Sequence, residues 1–197
     1  MSTAIRRGVF CLEGEWTDKL TDRASMRPLL QLVEDVHGLK FERRDVATRA
    51  EAKFYLDRWA QSGYAKTYPV AILAFHGQRG LLELKNEDLT LEEIGEILKG
   101  RCKGRYIHFD SCNVLDVKRA EIEAFRRQTG AHIVSGFRKN IGWIDSAAFT
   151  LHILDELSYG RPIPGSLMKI SGRNSEAVKR LGFRAIWGRG QIGFPQQ

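Results

Sequence analysis

The chain has 197 residues, 43% of them hydrophobic and 28% charged, which suits one domain (residues 1–197) that buries a core without disulfides or metal. Its net charge is +7 and its pI near 9.5. The basic residues are scattered, however, with no basic–aromatic run and no helix-turn-helix or zinc-finger spacing, which argues against a nucleic-acid binder.

No apolar stretch nears the ~18–20 residues that span a bilayer, and Met1–Arg7 carries no signal-peptide pattern. The three cysteines, Cys11, Cys102 and Cys112, include no CxxC pair. Free thiols in a reducing cytoplasm are expected, one of them available for chemistry.

Arg7–Leu12 reads as a first strand, stopped by Gly14, with Cys11 a buried structural thiol. A polar loop follows, carrying Glu13, Glu15, Trp16, Asp18, Asp22 and Arg23. Lying past a strand's carboxyl end, it either lines a pocket or is a solvated loop with Trp16 closing the core. Ser25 is expected to cap a helix to His37, with Pro28 in its first turn and Gly38 ending it. Leu39–Val46 is a second strand with one wet side, and a helix from Thr48 runs to about Gly63. This β-α-β-α opening predicts a parallel sheet with crossover helices.

Pro69–Phe75 is apolar at nearly every position, the pattern of a central strand covered on both faces. Leu81–Leu84 suggests a short extra strand, and Thr90 with Glu93 forms a capping box for Leu91–Leu98. Cys102 falls in a basic turn, Gly100–Gly104, with no evident role. Tyr106–Phe109 is the fourth strand, with His108 a core histidine. Asp116 is expected to cap a helix over Val117–Thr129, before a fifth strand at Ala131–Phe137 and a helix from Asp145 to Leu157. Gly160–Gly165 reads as a linker-like stretch. A helix at Ser175–Leu181, an edge strand at Phe183–Trp187 and a glycine-rich tail complete the chain.

Two strands end abruptly in reactive side chains: YPVAILAFHG at His76-Gly77, and RYIHFDSCN at Cys112. If both are parallel, their carboxyl ends meet on the edge where open α/β sheets bind ligands. Cys112 would attack a carbonyl, and His76 would help form the thiolate or protonate the leaving amine. Gly77 lets substrate approach the backbone, and its amide with that of Cys112 would form an oxyanion hole worth about 3–4 kcal/mol per donor.

At these residues the chain resembles the caspase-like cysteine peptidases (clan CD), most closely the small bacterial CHAT-type domains. The resemblance rests on AILAFHG (Ala71–Gly77), YIHFDSCN (Tyr106–Asn113), and then IVSG (Ile133–Gly136) followed by GWIDSAAF (Gly142–Phe149). It implies a three-layer α/β/α fold with a mostly parallel sheet, a His76–Cys112 dyad and no cofactor or metal. In several relatives an acid near the position of Asp145 receives a basic P1 side chain. That makes Asp145 the first candidate for substrate binding and Glu15 the second; Asp145 would serve equally as a helix N-cap. Asp110 either lies near the site or bonds a neighbouring loop.

The chain departs from the caspase signature, carrying Asp110-Ser111-Cys112-Asn113-Val114 where caspases have Gln-Ala-Cys-Arg-Gly. A preference for acidic P1 residues is therefore not implied. The expected partner is a protein or peptide substrate, with activation through a regulatory protein, dimerisation or self-cleavage at a basic loop. Two other readings use the same residues. One is a catalytically silent caspase-like binding module. The other is a flavodoxin-like domain, disfavoured because Glu13-Gly14-Glu15 is acidic where a phosphate needs donors.

Overall fold

Short β-branched and aromatic runs build one sheet, and the helices between them cover its two faces. A computed structural model of the chain describes residues 8–19 and 21–194. The expected Met1–Arg7 segment and the last residues of the tail, 195–197, lie outside the described residues. In chain order the elements open with β1 (Val9–Glu13), α1 (Arg27–His37), β2 (Phe41–Asp45), α2 (Arg49–Trp59) and α3 (Ser62–Thr67). They continue with β3 (Val70–Ala74), β4 (His76–Gln78), β5 (Leu81–Glu83), β6 (Asp88–Thr90), α4 (Leu91–Leu98) and β7 (Tyr106–Asp110). The last third holds α5 (Arg119–Thr129), β8 (Ile133–Phe137), α6 (Trp143–Ser158), α7 (Ile163–Arg173), α8 (Ser175–Leu181), β9 (Phe183–Trp187) and β10 (Gly190–Ile192).

The main sheet has the order β10-β9-β8-β7-β3-β1-β2. Its pairs from β2 to β8 are parallel; β9 and β10 join antiparallel. Alternation assigns each strand residue to a layer. Phe10 and Leu12 of β1 face α2, α4 and α5, through Leu56, Trp59, Ile94, Leu98, Ile122 and Phe125. Val9 and Cys11 face α1, α6, α7 and α8. The mixed α/β fold with a mostly parallel central sheet is thus the one expected.

Several boundaries differ from the sequence reading for physical reasons. Met26 rather than Ser25 holds the N-cap position of α1, although the Ser25 hydroxyl accepts the Arg27 amide at 3.1 Å, as a capping side chain does, while it donates to Glu13. The Gly38 C-cap is left-handed, as expected. Both Thr-Glu capping boxes form, on α2 and α4. Gly63 does not end α2 but lies within α3. Lys118, not Asp116, precedes α5, whose first turn is held by Glu121 accepting the Lys118 amide at 2.9 Å. The linker-like stretch instead opens α7, with proline at the positions where a missing N–H costs least. β9 is not an edge, since β10 covers it.

Cys11 is fully buried, and burial raises its thiol pKa well above normal. Cys102 is also buried, in the core, where desolvation pushes its pKa up to about 11. Both are core side chains rather than reactive thiols.

Candidate active site

The strand order reverses between β1 and β3: the chain leaves β1 for β2 on one side, then returns to place β3 on the other. Ligand crevices form outside the carboxyl ends of strands at such points. Glu13 ends β1 there, and His76 lies two residues past β3. His76 itself is the first residue of β4 in a second, antiparallel sheet, β4-β5-β6. The side sheet turns the chain sharply away and leaves the imidazole exposed while Gly77 is buried.

Cys112 follows β7, the neighbour of β3. The two strand ends are tied by Ser111, whose hydroxyl accepts the Phe75 amide at 3.2 Å and donates to the Leu73 carbonyl at 3.1 Å. His76 and Cys112 therefore leave the sheet from adjacent, bonded positions. Gly77 tightens the junction: a Cβ there would lie 2.8 Å from the Cys112 carbonyl oxygen and 2.6 Å from a Val114 methyl. Glycine is required here so that the cysteine loop can approach. This corrects the sequence reading, in which the space beside Gly77 was left for substrate.

Each reactive group has a backbone partner. His76 Nε2 lies 2.8 Å from the Trp16 carbonyl. A carbonyl only accepts, so the proton sits on Nε2 and Nδ1 carries the free lone pair. Cys112 is half-buried, with Sγ 3.4 Å from both the amide nitrogen and the carbonyl oxygen of Ile141. The carbonyl accepts from a thiol, and the N–H would stabilise a thiolate. The Trp16 ring stands edge-on to His76 at 5.4 Å and to Trp143 at 6.5 Å, joining the two loops that flank the site. From the sequence Trp16 is a loop residue that lines a pocket or closes the core; its hydrogen bond to His76 is made by the backbone, which no side-chain pattern reveals.

The three candidate substrate-binding acids differ in state. Glu15 is exposed and paired with Lys85 at 2.6 Å, which also holds Asp18. It faces a cleft of about 440 Å³ between the β1 and β2 loops. Asp145 pairs with Arg180 of α8 at 2.8 Å. It does not cap α6, because Gly142 occupies the N-cap and Asp145 falls in the first turn.

Asp110 is buried, and neither of its carboxylate oxygens finds a hydrogen-bond partner among the described residues. Burial, and secondarily the charge of Glu13, raise its pKa to about 6, while the nearby hydroxyls of Thr150 and Ser146 lower it less. Both hydroxyls have further partners: Ser146 donates to the Trp143 carbonyl at 3.1 Å, and Thr150 Oγ1 lies 3.4 Å from His108 Nε2. His108 is the core histidine expected. Its Nδ1 lies 2.8 Å from Ser135 Oγ, which also bonds the Tyr106 hydroxyl at 2.6 Å.

Among the described residues no group of three or more His, Cys, Asp or Glu is placed to hold a metal ion, and no helix is long and apolar enough to cross a membrane.

A model of a protein family described as a family of unknown function (DUF6642) matches residues 6–185. No curated protein matches the sequence. Among solved structures, caspase-1 from Spodoptera frugiperda is similar over 86% of this chain and 77% of its own length, at 14% identity and a TM-score of 0.55. That likeness concerns the fold, which the two share.

Proposed function

The chain belongs to DUF6642, a family of unknown function, and from that premise we propose that it is a cysteine endopeptidase working through His76 and Cys112. The observation that carries the reading is the pair of bonded strand ends, each delivering one reactive group to the sheet edge beside the switch point. A caspase-like fold supports a hydrolase of protein or peptide substrates.

In the proposed reaction His76 Nδ1 takes the Cys112 proton as Sγ attacks the scissile carbonyl carbon. The oxygen becomes an oxyanion, with the amides of Gly77 and Cys112 its candidate donors. The carbonyl re-forms as the C–N bond breaks, and the imidazolium returns its proton to the leaving amine. Water, deprotonated by the same nitrogen, then hydrolyses the thioester. The Trp16 carbonyl keeps the imidazole in the required tautomer throughout.

For specificity we assign Asp110 ahead of Asp145 and Glu15. The last two already hold Arg180 and Lys85, whereas Asp110 is a buried acid lacking hydrogen-bond partners. A basic P1 side chain would satisfy it. Three unpaired thiols fit a reducing cytoplasm. The basic surface loops and the open sheet edge leave room for an activating partner or self-cleavage.

The test is cleavage of fluorogenic peptides with Arg, Lys, Ala or Asp at P1. Cys112→Ala and His76→Ala are each expected to abolish turnover, with Arg and Lys preferred by the wild type. A protein that folds and cleaves none of them would favour a silent binding module instead.

A further inference from the structure

Glu13 is the last residue of β1 and is 1% exposed. Its carboxylate collects donors from both ends of the loop that follows. Oε1 accepts the Trp16 indole N–H at 2.7 Å and the Met26 amide at 2.7 Å. Oε2 accepts the Ser25 hydroxyl at 2.9 Å and the Arg43 guanidinium of β2. Four donors on one buried carboxylate make it the clasp of this loop.

The loop matters because it carries a backbone carbonyl that is hydrogen-bonded to the His76 ring. The Trp16 carbonyl meets Nε2 at 2.8 Å, while the indole of the same residue is held by Glu13. Lys85 bridges Glu15 and Asp18, and Trp16 stands against Trp143, but Glu15, Thr17 and Asp18 are solvent-exposed, which leaves the clasp as the buried tie on Trp16. The clasp therefore sets where the carbonyl stands, and the carbonyl sets which ring nitrogen of His76 is bare.

We propose that Glu13 is a positioning residue for His76: by holding the Trp16 indole it fixes the carbonyl that selects the Nε2–H tautomer and frees Nδ1 as the base. This rests on the reading of His76 and Cys112 as the catalytic pair, yet it is testable apart from that reading. Glu13 touches no reacting atom, and the Met26 amide it accepts belongs to the start of α1, so truncating it to Ala would disturb the fold as well.

The cleaner variant is Trp16→Phe, which deletes the indole N–H but keeps the backbone carbonyl and leaves Glu13 its other donors. Glu13→Gln keeps the shape and sets an amide NH₂ against two of the four donors. In ¹⁵N-labelled wild type, the His76 ring is expected to show a single Nε2–H tautomer. Both variants, still folded by circular dichroism, are expected to show a tautomer mixture and a kcat lower by on the order of tenfold to a hundredfold, with KM little changed. A single Nε2–H tautomer with wild-type kcat in both variants would overturn the proposal. If the wild type cleaves no peptide but the tautomer shift appears as described, the peptidase reading fails and the positioning role stands.

Discussion

At Asp110, burial of a carboxylate without hydrogen-bond partners works against folding. Its folded pKa of about 6 lies above the ordinary 3.8. The stability it permits is therefore full below about pH 4 and is lost as pH rises through 6, a loss of about 3 kcal/mol at pH 7. Asp110→Asn is expected to raise the melting temperature at pH 7 and leave it nearly unchanged at pH 4, as thermal unfolding at both pH values would show. The same variant should lose the preference for Arg or Lys at P1. In the wild type, kcat/KM for a basic-P1 peptide should fall as pH drops below about 6, because protonation removes the charge that binds the substrate; an Ala-P1 peptide provides the control for titration of the dyad.

The sequence made His76 and Cys112 readable because each stands just past an apolar run, where a strand hands its side chains to the sheet edge. Asp110 was readable only as a neighbour of Cys112. Its burial beside Ser146 and Thr150 depends on the tertiary packing of α6. Glu13 stood among several loop acids with nothing to single it out, since its burial comes from β1 running one residue past the Leu12 end expected from the sequence.

Among the elements, the junction between β4 and the loop after β7 is the most sensitive. Gly77→Ala would push a methyl group into Val114 and the Cys112 carbonyl. It is expected to cost about 1–3 kcal/mol, as overpacking does, and to lower kcat more than the stability loss explains, because the strain falls on the cysteine loop. Denaturant unfolding beside peptide turnover separates the two effects. Gly63→Ala meets open space and is the matched control.

Elements with strong end signals were legible. Thr90-Glu93 forms the capping box its spacing indicates, Thr48 starts α2 as expected, and Gly38 and Gly130 close helices in the left-handed conformation. α7 was hidden because Pro162, Pro164 and Gly165 suppress a helical reading, although proline is tolerated in a first turn. β4, β6 and β10 are three-residue strands, too short for any period to show.

Across the whole molecule, the sheet order brings β1, β3 and β7 side by side and so gathers Glu13, His76 and Cys112 from distant parts of the sequence. The polar residues of β7 and β8 beneath them give the fold its pH response. Burial depresses the His108 pKa to about 3, against an ordinary 6.5. The neutral ring's contribution is full above pH 6.5 and is lost as pH falls toward 3, by up to about 5 kcal/mol. Asp110 acts in the opposite direction between pH 4 and 6 but over a smaller shift, so net destabilisation by acid is expected. His108→Asn, although less stable at pH 7 for lost packing, should leave the opposing Asp110 term uncovered, so that its unfolding free energy falls as pH rises from 4 to 6 where the wild type stays nearly level. An unchanged slope would remove His108 as its source.

The central claim is that Cys112 is a nucleophile served by His76. The most direct measurement is mass-spectrometric mapping after reaction with an arginyl acyloxymethyl ketone, comparing the folded wild type with His76→Ala. The account predicts a single adduct on Cys112, none on Cys11 or Cys102, and loss of the adduct in His76→Ala. No adduct on folded wild type, or equal labelling of Cys112 without His76, would contradict it.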